Sequence, residues 1–370
     1  MINLLTSFSK HSFIKNVGLI AGGTAFAQFL TIACAPLLTR IYDPSDFGLL
    51  AVYSSILAIL SIIAGLRYEM AIPLAESESD AINILFLSFC LIVISSLIIF
   101  IGIALFINEI SDIFKIKKHK NLLWLIPLGV LFIGLYKMCN YWAIRTKNFP
   151  KIASTKIIQS VSYIIFACLG FKFGTIGLLL GHLSSLSAGV ITLGKTISVS
   201  EPKKIIKFSL MKNLAVRYKN FPLYSIWGGL TNTASLQLPP LAFAYCFGQT
   251  TAGLFLLANR VTSLPMIFFG QAISQVFFGN AVEAHRDGKL NKLFFSIFDN
   301  LSKIGGPFIL FLVFLAPQLF IFIFGPAWED AGTMASWLGP WLYFVFVTSP
   351  LSNISTITDN QKKALIFHLV

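Results

Sequence analysis

From Ala81 to Ile107 the chain runs without a single charged side chain. A stretch of that length cannot be wrapped inside a soluble domain, because about 20 helical residues already cross the hydrocarbon of a bilayer. Similar runs recur along the chain. They are placed at about 17–38, 47–66, 122–144, 152–171, 174–194, 223–247, 252–280, 301–324 and 333–351, so ten membrane helices are expected. Composition agrees: 56% of the 370 residues are hydrophobic and 12% are charged, about half the charged share of a soluble domain. These values exclude a single water-soluble core, a disordered chain and a disulfide-stapled secreted domain. The fold expected is all-α and integral to the membrane.

The charge that remains is sorted. Lys and Arg number 28 against 15 Asp and Glu, and the cations sit mostly in short gaps between apolar runs. With the N-terminus in the cytoplasm, the outer gaps hold only Arg40, Lys115, Lys117, Lys118, Lys120 and Lys172. The rest lie on the inner side, apart from Lys137 and Arg260 within spans. That asymmetry is the positive-inside pattern and predicts N-in topology. The basic loop Lys115–Lys120 is the one that dissents. Since topology accounts for the cations, nucleic acid is not an expected partner; anionic membrane lipid is. The cysteines Cys34, Cys90, Cys139, Cys168 and Cys246 each lie in an apolar run with no CxxC pair. They read as small packing residues, and neither a metal nor a cofactor is expected. Residues 17–35 resemble a signal-peptide core, but more spans follow, so they read as an uncleaved first helix.

Residues 1–15 carry Ile2, Leu4, Leu5 and Phe8 with Lys10 and Lys15, the pattern of a short interfacial helix. A six-helix bundle is expected over 16–195, a basic amphipathic cytoplasmic linker over 196–221, and a second, shorter bundle over 222–370. An internal repeat supports two halves. Gly22-Gly23 precedes Asp46-Phe47-Gly48-Leu49, and Gly228-Gly229 precedes Thr251-Ala252-Gly253-Leu254 at nearly the same separation. Paired, repeated bundles are a common transporter build, with the substrate path between halves.

Ionisable residues inside spans are costly and therefore informative. Lys137 lies within the fourth span, where snorkelling to the interface competes with a cavity role. Arg260 lies deep in the eighth and reads as a cavity cation. Arg40, Arg67 and Arg145 stand at span ends, either as headgroup anchors or as cavity cations. No carboxylate lies in the middle of a span. Glu69 and Asp46, at span ends, are the candidates for coupling to a proton or a metal cation. Enzyme motifs are absent: the histidines are scattered, and Ser184-Ser185 near His182 has no acid beside it.

Several segments, in order, resemble a known family. Leu38-Thr39-Arg40-Ile41-Tyr42-Asp43-Pro44-Ser45-Asp46-Phe47-Gly48 resembles the first-loop signature of bacterial polysaccharide flippases. Leu66-Arg67-Tyr68-Glu69 is similar to the end of their second span. Tyr218-Lys219-Asn220-Phe221-Pro222-Leu223-Tyr224 is similar to the opening of their second bundle. Leu257-Ala258-Asn259-Arg260-Val261 and Gly270-Gln271-Ala272-Ile273-Ser274-Gln275-Val276-Phe277 resemble their eighth span.

The resemblance is to the Wzx-type branch of the multidrug/oligosaccharidyl-lipid/polysaccharide exporter superfamily. It implies a MATE-like fold of twelve or more helices in two bundles. It also implies carriage of undecaprenyl-diphosphate-linked sugar repeat units across the bacterial inner membrane, for O-antigen, capsule or exopolysaccharide. The polysaccharide polymerase machinery would be an accessory partner. On that reading Arg260 and Lys137, with Arg40, Arg67 and Arg145, would hold the diphosphate, since guanidinium and ammonium groups make charge-assisted bonds to phosphate oxygens. Two alternatives remain from the sequence: a cation-coupled multidrug exporter and an integral-membrane glycan polymerase. The chain stops at Leu369-Val370, where an eleventh span is expected, so two helices of the family pattern are expected to be missing.

Overall fold

A computed structural model describes residues 2–113, 116–197, 206–264 and 287–351. Among these residues every regular element is helical. The chain divides into two compact units, Met1–Gly253 and Leu254–Val370.

The first unit begins with α1 (Ile2–Ala33), a short α2 (Ala35–Ile41) and α3 (Pro44–Leu60). A 3-10 segment, Tyr68–Leu74, leads to α4 (Glu78–Ile113). Then come α5 (Leu125–Arg145), α6 (Phe149–Leu169) and α7 (Thr175–Gly194). The basic linker contributes α8 (Phe208–Arg217), followed by α9 (Ile226–Phe247) and α10 (Gln249–Thr262), within which the first unit ends. Six helical segments among the described residues are long and apolar enough to cross a membrane: Gly18–Ile41, Glu78–Ile113, His119–Arg145, Phe149–Leu169, Thr175–Gly194 and Leu290–Phe324. The other four expected spans are shorter, less apolar, or partly outside the described residues. The Gly270–Phe277 motif and the chain after Leu351 lie outside them entirely.

Two elements differ from the sequence expectation. The first helix runs unbroken from Ile2 to Ala33, where a separate interfacial helix was expected over 1–15. Span two, expected to be helical to residue 66, stops as an α-helix at Leu60 and continues as turns and a 3-10 segment. Hydropathy could not show this, because Ile62, Ile63, Ala64 and Leu66 are as apolar in a turn as in a helix.

Helices of this unit approach closely through small residues, the usual device where lipid removes a hydrophobic drive between helices. A methyl group added at Gly177 would meet the Gly170 carbonyl at 2.3 Å. One added at Gly23 would lie 2.8 Å from Ala153. Tyr42 ties α2 to α6 by donating to the Ala167 carbonyl at 2.6 Å. Ile72, Ile84, Ile92, Trp142 and Leu193 form a fully buried core around the 3-10 segment, α4, α5 and α7.

The repeat noted in the sequence has a physical counterpart. A methyl at Gly48 would collide with the Gln249 carbonyl, and one at Gly253 with the Pro44 carbonyl, both at 1.8 Å. The two repeat-related glycines thus let the first turns of α3 and α10 touch backbone to backbone. Below this crossing α3 packs on α9 through Val52 and Ala244, and Ser55 donates to Gln237 Oε1 at 2.9 Å.

In the second unit α11 (Leu290–Phe324) and α12 (Glu329–Thr348) form an antiparallel hairpin. Gly325 turns the chain at φ 103°, a conformation glycine adopts without penalty. Gly332 lies against the Ala316–Pro317 backbone and Gly339 against Val313. Trp328, 1% exposed, fills the turn.

Candidate functional site

The interrupted second span brings three ionisable side chains together. Past the end of α3 the carbonyls of Ser61 and Ala64 have no place in a helical ladder and need other partners. Two neighbouring helices supply them. Lys137 of α5 donates from Nζ to the Ser61 carbonyl at 3.1 Å and to Ser61 Oγ at 2.9 Å. Ser95 of α4 donates to the Ala64 carbonyl at 2.7 Å. An ammonium at a helix C-terminus also opposes the helix dipole. The break is therefore stabilised from outside the segment.

The chain then turns through two left-handed residues, Leu66 (φ 48°) and Arg67 (φ 63°). Neither is glycine, so each costs roughly 1–2 kcal/mol. Strain of this kind concentrates where a side chain must be aimed in a particular direction. Here it aims Arg67 and, two residues on, Glu69. Glu69 is 3% exposed, and its Oε2 has no hydrogen-bond partner among the described residues. It lies within Coulombic reach of Lys137 and Arg67. Gly65 makes room for it, since a methyl there would sit 2.4 Å from Oε2. The Arg67 guanidinium rests on the backbone of α9, where a methyl at Gly229 would lie 1.8 Å from Nη2. Among the described residues Arg67 Nε is buried without a partner, and Nη1 approaches the Met70 sulfur at 3.6 Å.

Two cations face one carboxylate here. By formal charge the cations outnumber the carboxylate, and Arg67 keeps donors unfilled among the described residues, which suits an anion. The unwound backbone beside it fits the rule that irregular segments at membrane depth line cavities or lie within protein.

The other sequence candidates lie elsewhere. Arg40 is exposed in the last turn of α2. Asp46 closes a capping box with Asp43 at the start of α3 and accepts a short hydrogen bond from Thr175. Arg145 donates to the carbonyls of Ile72, Ala75 and Ser77, at 3.1, 2.7 and 3.1 Å. It closes the C-terminal end of the 3-10 segment. Arg260, half-buried in α10, belongs to the second unit and makes no hydrogen bond or ion pair with a described residue. Sequence reasoning missed Ser61 and Ser95, as nothing marks a serine in an apolar run as a cap. It singled out Gly229 as half of a repeat without seeing the guanidinium upon it.

The fold, helical throughout the described residues, is similar to that of solved MATE family transporters. An inward-facing multidrug resistance MATE family transporter of the MOP superfamily superposes with a TM-score of 0.66 at 16% identity, over 92% of this chain and 83% of its own. An outward-facing structure from that family matches at 0.55 and 14%, over 95% and 84%. At such identities the likeness concerns the fold.

The profile of the family described as "Polysaccharide biosynthesis protein" matches residues 37–333, and the chain belongs to that family. It is 24% identical to the succinoglycan biosynthesis transport protein ExoT of Rhizobium meliloti (strain 1021) over 330 residues, which are 86% of this chain and 63% of ExoT. It is 27% identical over 210 residues to the probable lipid II flippase MurJ of Thermotoga maritima, covering 50% and 43%. The chain thus spans less than two thirds of the length of either curated relative.

Proposed function

We propose that the protein flips undecaprenyl-diphosphate-linked oligosaccharide units across the bacterial inner membrane, N-terminus in the cytoplasm, for O-antigen, capsule or exopolysaccharide assembly. The observation that carries this reading is the convergence of Arg67, Lys137 and Glu69 on the interrupted second span. Membership of a polysaccharide biosynthesis family supports the substrate class, as do relatives named for succinoglycan transport and lipid II flipping.

Flipping breaks no bond. The lipid tail stays in hydrocarbon, and the task is to lower the cost of moving a charged head through about 30 Å of it. Arg67 offers the free donors, and a guanidinium binds phosphate oxygens in pairs. Lys137 holds the unwound segment and adds positive potential. Glu69 balances the cluster while the site is empty, so that no uncompensated pair of cations is buried. Arg260, the other cation that the sequence places within a span, would meet the diphosphate at another stage of alternating access. Arg145 holds the 3-10 segment that carries Glu69, and Arg40 anchors the end of the first span.

The test is transport of a fluorescent diphosphate-linked oligosaccharide in proteoliposomes. Arg67→Ala and Arg260→Ala should each lower it at least about tenfold, the value of one charge-assisted hydrogen bond, with membrane insertion intact. Unchanged transport in Arg67→Ala would overturn the assignment. A second reading, a cation-coupled multidrug exporter, is favoured by the buried Glu69 and by the MATE fold. Drug resistance lost in Glu69→Gln, with oligosaccharide transport absent from the start, would establish it instead.

A further inference from the structure

A second cationic place lies apart from the interrupted span. The C-terminal ends of α5 and α7 and the N-terminal end of α6 enclose an open cleft of about 680 Å³. Lys147, Lys151 and Lys195 line it, with Thr146, Asn148 and Thr196; no carboxylate is among its described lining residues. The threonine hydroxyls donate to carbonyls of their own helices, Thr146 to Trp142 at 3.2 Å and Thr196 to Leu193 at 2.6 Å. The three ammonium groups are therefore the cleft's principal free donors.

The backbone adds to this. Helix α6 starts after Asn148 without a side-chain cap bond, and because Pro150 has no N–H and the Ile152 N–H bonds to the Asn148 carbonyl, only Phe149 and Lys151 bring N–H groups to the positive end of its dipole. Lys147 has φ 54°. It occupies the residue just past the end of α5, where Lys147 N–H bonds to the Ile144 carbonyl at 3.0 Å and Asn148 N–H to the Ala143 carbonyl at 2.8 Å. That is the left-handed closing turn of a helix, a position where glycine is usual. A lysine there is locally unfavourable, and what it adds over glycine is a cation held over the cleft. This end of the unit is also the one that the positive-inside rule assigns to the cytoplasmic headgroup layer.

We propose that this cleft is a phosphate site for an anionic lipid headgroup, separate from the interrupted-span cluster and independent of what the protein transports. The chemistry it recognises is a phosphate or diphosphate anion gripped by three lysines and the first turn of α6.

The experiment uses the full chain purified in neutral detergent, with lipid retention read by native mass spectrometry. Phosphatidylglycerol should be retained in preference to phosphatidylcholine. Lys147→Gln, Lys151→Gln and Lys195→Gln together should weaken that retention at least about tenfold. The corresponding triple arginine variant should restore it, and Lys172→Gln, at the opposite end of α6, should leave it unchanged. Lys147→Gly removes one cation while relieving the turn, so it keeps the fold and should still weaken retention several-fold. Competition with inorganic pyrophosphate assigns the source: displacement means the headgroup charge alone is recognised, and none means that the lipid is required. Retention equal in the wild type and the triple glutamine variant would overturn the proposal. So would a variant that only loses thermal stability, which would make the lysines helix-dipole partners and nothing more.

Discussion

The first unit holds its cations in two contrasting places. At the interrupted second span, Arg67 and Lys137 are half-buried, lie within Coulombic reach of one carboxylate, and satisfy or press upon backbone. At the cleft between α5, α6 and α7, Lys147 and Lys195 are exposed and no carboxylate answers them among the described lining residues. The contrast teaches that depth decides what a cation must do for the fold. A buried ammonium or guanidinium needs partners or it costs several kcal/mol. An exposed one is solvated and stays free to bind something that arrives.

The largest expected effect tests the buried half. Lys137→Met removes the cap on Ser61 and one of the charges beside Glu69. It should lower stability by about 1–3 kcal/mol, the penalty for an orphaned buried polar group, seen as a lower unfolding midpoint in detergent. Lys195→Gln in the cleft should change stability by less than about 0.5 kcal/mol. Equal losses in the two variants would erase the distinction.

Gly229→Ala sharpens it from another direction. The new methyl meets the far end of the Arg67 side chain rather than backbone, so the guanidinium can move aside. Transport should fall about as far as in Arg67→Ala, with the unfolding midpoint nearly kept. Lys147→Gly should move the other way and raise stability by about 1 kcal/mol, since the left-handed turn no longer carries a side chain. A midpoint unchanged or lowered would mean that Lys147 is not strained there.

The smallest effect lies at the linker. Arg217 of α8 pairs with Glu76, just before α4, and holds that carboxyl below its ordinary range. Both partners are exposed, at 49% and 71%. A carboxyl with a lowered folded-state pKa stabilises at pH above its unfolded value. That contribution fades as pH falls through the lowered one. Stability should therefore decline slightly on acidification below the ordinary glutamate range, and Glu76→Gln should flatten that slope.

Much of this was legible in the sequence. Lys137 stood out as a cation inside an apolar run, and Arg67 and Glu69 as the polar end of the second span. Of the linker expected to be amphipathic, α8 buries Met211 and Leu214 but leaves Phe208 and Val216 exposed along with Lys212. The break at Leu60 was not legible, since it depends on Lys137 and Ser95 reaching across from α5 and α4. Nor was Lys147, which in sequence is one more loop cation, because its left-handed turn follows from how α5 closes. Asp46 illustrates the same limit. As a letter it is a carboxylate near a span; in place it is a helix cap bonded to Thr175.

What the sequence determined by itself was the solvent of each segment, because that follows from local transfer free energies that add residue by residue. Which cations meet which carboxylate, and where a helix gives way, only the tertiary structure decided. In lipid the outward and inward faces of a helix are equally apolar, so periodicity carries little trace of which helices touch, and the partners of Arg67, Lys137 and Lys147 are set by packing between segments far apart in the chain.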